Sequence, residues 1–81
     1  MLRYSLIARC DYPSRSITIY ERDTRTHKER IVREAIGAID AIRYIHGCLG
    51  THEIGVLCAD ELILMAEEEM HDMLEEVLIH D

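Results

Sequence analysis

Side chains able to bind metal or act as nucleophiles gather in one short stretch. His46, Cys48 and His52 fall within HGCLGTH, and Cys58 follows six residues after His52. All four are competent zinc ligands, and loops often present such residues. Their spacing matches none of the usual structural zinc patterns, and a Cys on a strand is more often a small buried hydrophobe. The expectation is that they hold no metal. Cys48 with His46 or His52 would make a thiol–imidazole pair, but no third group stands ready to orient the base. Ser5, Ser14 and Ser16 lie in or near one hairpin, and the chain has no glycine-rich elbow or phosphate loop.

Glu68 and His71 form a single Glu-x-x-His. A di-iron bundle needs two such motifs and two further carboxylates, drawn from four helices. Glu67–His71 and Glu76–His80 are ordinary i,i+4 helix pairs. Functional constellations normally bring together more polar groups than these, so neither an enzyme nor a cofactor is expected.

Charge is the sharper signal. The last thirty-one residues hold ten Asp or Glu and no Lys or Arg, whereas all nine cations lie in the first fifty residues beside six acids. The basic segment Arg22, Arg25, Lys28, Arg30, Arg33 is interleaved with Glu21, Asp23, Glu29 and Glu34, which dilutes any single-sign field. Direct nucleic-acid binding is therefore not expected, and the net charge of −7 argues the same way. Spaced carboxylates on a rigid helix can instead attract a basic groove. A solvated face that keeps a small protein soluble is the plainer use of such a stripe.

These side chains need elements to position them. Leu2, Tyr4, Leu6, Ala8 and Cys10 alternate along residues 2–10 as in a half-buried strand. Asp11-Tyr12-Pro13-Ser14 is turn chemistry, and residues 16–22, SITIYER, form the returning strand. A turn centred on Pro13-Ser14 sets Cys10 opposite Ile17 and Ala8 opposite Ile19, so the two apolar faces coincide.

The capping box Thr26-His27-Lys28-Glu29 predicts a helix running to about His46, stopped by Gly47. Ile31, Val32, Ala35, Ile36, Ile39 and Ile42 form its buried stripe. Opposite lie Arg30, Arg33, Gly37, Asp40 and Tyr44. The small residues Gly37 and Ala41, one turn apart, make Arg30, Arg33, Gly37, Ala41 and Tyr44 a candidate dimer face. A Gly inside a helix otherwise costs about 1 kcal/mol against Ala.

Residues 53–58, EIGVLC, are short and apolar on both sides and read as a third, buried strand. Residues 60–81 read as an amphipathic helix. Leu62, Ile63, Ala66, Met70, Met73, Leu74 and Val77 fall on one side; Glu61, Glu68, Asp72, Glu75 and Glu76 fall on the other, with Glu67 at the boundary. The order is ββαβα. A right-handed crossover puts the third strand beside the first, in order 2-1-3, with both helices on one face. The fold class is a small α+β domain: a β-hairpin plus a third short strand under two helices.

The 81 residues make one domain, 1–81, and 48% hydrophobic content with four Gly and one Pro argues for an ordered chain. With no Trp or Phe, the core must be aliphatic, filled in by Met and Tyr. Three Cys at irregular spacing without a signal peptide point to reduced thiols in a cytoplasm. No apolar run approaches the ~20 residues that cross a bilayer.

The size, acidity and ββαβα plan resemble those of small phage-encoded inhibitors such as anti-CRISPR proteins, a resemblance that covers no motif. It implies an inhibitor that mimics nucleic acid. The reading of the residues is a non-enzymatic, acidic interaction protein that binds a basic surface of a protein partner, itself a nucleic-acid-binding protein in the mimic case. Glu61, Glu67, Glu68, Asp72, Glu75 and Glu76 are its contact residues. The alternative is a structural or regulatory homodimer, such as an antitoxin-like subunit.

Overall fold

A computed structural model describes residues 2–11 and 13–79. Six elements follow in order: β1 (Tyr4–Asp11), β2 (Ser16–Asp23), β3 (Glu29–Ile36), α1 (Ala38–Gly47), β4 (His52–Val56) and α2 (Ala59–Ile79). They form an α+β domain with one mixed sheet in the order β3-β2-β1-β4. β1 and β2 pair antiparallel, with Cys10 opposite Ile17 and Ala8 opposite Ile19 as the alternation requires. β4 runs parallel to β1, setting Leu6 beside Ile54 and Ala8 beside Val56. Leu6, Ala8, Ile17 and Ile19 thereby share one face. That face meets Ala38 and Ala41 of α1 and Leu62, Met65 and Ala66 of α2 in a single aliphatic core.

The expected order 2-1-3 survives as β2-β1-β4, but the chain has one strand more. The helix expected from Thr26 is replaced by a hairpin turn, a strand and a shorter helix. The Thr26 hydroxyl accepts from the Lys28 N–H, two residues on, inside a turn. Asp23 accepts the Arg25 N–H at 2.8 Å, the Asp23 carbonyl accepts the His27 N–H, and His27 sits at φ 61°. Such local side-chain bonds offer the backbone an alternative to a helix start.

Past the turn, charges pair across β2 and β3. Arg22 meets Glu29 at 2.7 Å and Arg30 meets Glu21 at 2.9 Å. The β-branched Ile31 and Val32 suit this extended edge. The pairing is irregular between Ile17 and Tyr20, and Ala35 lies at φ 51° there. Gly37, at φ −71° and ψ 164°, ends the strand and caps α1. The apolar spacing from Ile31 to Ile42 therefore spans two elements, divided at this residue.

Cys10 and Cys58 are disulfide-bonded, with Cα atoms 5.9 Å apart. This corrects the expectation of three reduced thiols and removes the support that thiols lent to a cytoplasmic location. Cys48 is free and half-buried. Among the described residues, no helix is long and apolar enough to cross a membrane.

Candidate interaction site on the second helix

α2 begins where β1 and β4 end together. The Leu62 N–H bonds to the Cys58 carbonyl at 2.9 Å, and the Cys10–Cys58 bond ties this first turn to β1. Leu62, Met65 and Ala66 then enter the core. One turn on, Glu69 reaches α1. Its Oε1 accepts the Ala38 N–H at 2.9 Å, and its Oε2 accepts the Ile39 N–H at 2.8 Å. Gly37 offers no capping side chain of its own. A Cβ at Gly37 would overlap Glu69 Oε1, so the glycine makes room for a cap supplied by the other helix. A carboxylate at a helix N-terminus is favoured both by the orphan N–H groups and by the dipole.

Beyond Glu69 the burial stops. Residues 70–78 are all exposed, with Leu74 at 59%, Val77 at 69% and Leu78 at 72%. Of the seven apolar positions that the periodicity groups together, only Leu62 and Ala66 are buried, with Met65 joining them; Ile63, Met70, Met73, Leu74 and Val77 lie open. Between this part of α2 and the outer side of α1 runs an apolar groove of about 510 Å³. Its walls are Met70, Met73, Leu74 and Val77 on one side and Ile39, Ile42 and Arg43 on the other, with Ala66 at the inner end.

The expected contact carboxylates take different places. Glu61, Glu67, Asp72, Glu75 and Glu76 are exposed on α2. Glu75 lies 3.1 Å from His71, one turn earlier. Glu68 is half-buried and faces Arg15 of the β1–β2 turn at 3.4 Å, so part of its charge is answered within the chain. Glu76–His80 lies outside the described residues, as does Tyr12 of the first turn.

The five residues of the candidate dimer face do not share one helix face. Ala41 is fully buried, and Gly37 faces the Glu69 carboxylate. Arg30 and Arg33 stand on β3 rather than on α1, and the Arg33 guanidinium lies 4.5 Å from the Tyr44 ring centroid. Burial raises the Tyr44 hydroxyl above the ordinary tyrosine value.

The metal-competent residues are also drawn apart. Cys58 is bonded to Cys10. His52 stands at the start of β4, its Nε2 2.8 Å from Glu21 Oε2 and its Nδ1 2.8 Å from Thr51 Oγ1. Glu21 further accepts from Arg30 Nε at 3.0 Å. The hydrogen bond with His52 is the chief reason Glu21 lies below the usual carboxylate value, with Arg30 adding to it. This cluster clamps β2 to β4 across β1. The Thr51 hydroxyl also donates to the Cys48 carbonyl at 3.3 Å, so the groups of this cluster are held by one another and by the backbone. Asp23 is held down in the same way, first by the Arg25 N–H and then by Arg3, which approaches it at 3.2 Å. No three His, Cys, Asp or Glu side chains gather as a metal cluster among the described residues.

Comparison with protein families, with curated proteins and with solved structures finds no match.

Proposed function

We propose that this chain is a non-enzymatic interaction protein whose contact element is the exposed half of α2, with its carboxylates directed at a basic surface of a protein partner. One observation carries the reading: Asp72, Glu75 and Glu76 are exposed on one continuous helix in a stretch with no Lys or Arg. Uncompensated carboxylates on one rigid side attract an electropositive groove and speed its encounter. Glu67 flanks the same helix, and Glu61 extends the acidic side toward its start. Glu68 contributes less, because Arg15 already answers it. A partner that normally binds nucleic acid fits this charge pattern, and occupation of its groove would make the chain an inhibitor by mimicry.

The test is capture from lysate by immobilised wild type and by Asp72→Lys/Glu76→Lys. Proteins held by the wild type, lost with the variant and released by salt support the reading. An identical set on both baits assigns the acidic side to solvent.

A further inference from the structure

Met70, Met73, Leu74 and Val77 recur at intervals of three and four along the exposed half of α2. That spacing draws a continuous apolar seam of the kind by which helices pair. The same four side chains form one wall of the groove, while Ile39 and Ile42 form the opposite wall. Seam and groove therefore belong to one surface, which a two-fold axis would set against a copy of itself. This is the requirement for a closed two-fold contact.

We propose that a second copy of this chain fills the groove, the two α2 helices running antiparallel about an axis beside Leu74. Met70 of each copy then meets Val77 of the other, and each seam lies against Ile39 and Ile42 across the axis. Two observations select a second copy over an unrelated apolar segment.

The first is charge. At 100° per residue, Asp72, Glu75 and Glu76 point away from the Met70–Val77 seam, so two such acidic helices can pair with their carboxylates outward. Arg43 stands at the rim of the groove and lines, with Asp40, Glu69 and Asp72 of its own chain, the space beside it. The second is area. Ile42, Met70, Met73, Leu74 and Val77 are each 40–69% exposed. Covering them from both copies removes on the order of 1,000 Å² in total, the lower limit for a specific interface. A small domain with so short an aliphatic core gains from burial of this kind.

This inference does not rest on the reading of the acidic side. Asp72, Glu75 and Glu76 lie off the seam, with Glu67 and Asp72 at its margins, and the two uses respond to salt in opposite senses. Each copy carries −7, so salt that screens repulsion tightens self-association, whereas it weakens binding to a basic partner.

The experiment is the solution mass by analytical ultracentrifugation, at salt from about 0.1 to about 1 M, over which the screening length falls from about 10 to about 3 Å. Wild type is expected at twice the 9.4 kDa chain mass, with the dimer strengthened by salt. Leu74→Lys/Val77→Lys alters only exposed side chains, and its circular dichroism should match wild type. Its dissociation constant should rise on the order of 100-fold or more, because four covered apolar side chains become ammonium groups. Asp72→Lys/Glu76→Lys should remain dimeric and associate more tightly at low salt. A wild-type mass of 9.4 kDa at every salt concentration overturns the proposal. So does a Leu74→Lys/Val77→Lys variant that dimerises as wild type does.

Discussion

Replacing Glu69 with Ala removes the side chain that closes the N-terminus of α1. Two backbone donors, the N–H groups of Ala38 and Ile39, lose carboxylate partners at 2.9 and 2.8 Å. A hydrogen bond to a charged group contributes about 1.5–3 kcal/mol net, and losing an N-cap costs about 0.5–2 kcal/mol. Glu69 and Gly37 are only half-buried, so water can reach the freed donors and the two losses do not simply sum. A cost of about 2 kcal/mol follows, which in a domain of this length lowers the melting temperature by roughly 8–16 °C. Thermal unfolding followed by circular dichroism reads this directly. Glu67→Ala, two residues earlier on the same helix and exposed, should stay within about 0.5 kcal/mol of wild type. Gly37→Ala should reproduce most of the loss, because the added methyl takes the space of Glu69 Oε1. The two substitutions act on one contact, so the double variant should lose less than the sum of the single ones. Equal melting of Glu69→Ala and Glu67→Ala, or strict additivity with Gly37→Ala, would refute the reasoning.

Two further outcomes concern stability. Glu21 has its carboxyl depressed by His52 and Arg30, so its contribution is present above the ordinary glutamate value and disappears as pH falls through the lowered one; melting temperatures recorded down through this acid range should fall less steeply for Glu21→Gln than for wild type. The Cys10–Cys58 bond closes a loop of 48 residues in sequence separation, which in the chain-entropy account is worth about 4 kcal/mol. Cys10→Ser/Cys58→Ser should then melt far below wild type under oxidising conditions, and adding reductant should lower wild type toward the variant.

Much of the sheet was legible. The β1–β2 register followed from alternation alone, since a slip of one residue would turn Leu6, Ala8, Ile17 and Ile19 to the wrong face. The strand order around β1 followed from crossover handedness. β3 was not legible by the same means, because ERIVREAI carries its apolar residues in adjacent pairs that fit a helix as well as a bulged edge strand. Gly37 is the signal: it marks the boundary between β3 and α1 inside an otherwise helix-like spacing. The disulfide was within reach too. Once β1 and β4 are neighbours, Cys10 and Cys58 fall at the same end of both.

At the candidate site, periodicity identified which side of α2 is apolar but not what covers it. Leu62 and Ala66 meet the core, whereas Met70, Met73, Leu74 and Val77 share the pattern and meet no neighbour comparable to it. Glu69 could not be separated from Glu67 and Glu68 by composition. Only the approach of α1 gives it a separate role.

The most direct measurement of the account is a calorimetric titration of the captured partner with wild type and with Asp72→Lys/Glu76→Lys, at about 0.1 and about 1 M salt. These conditions shorten the screening length from about 10 to about 3 Å. The account predicts tight binding by wild type at low salt, at least roughly tenfold weakening at high salt, and loss of most affinity in the variant at low salt. Equal affinity of the two proteins at both salt concentrations would contradict it.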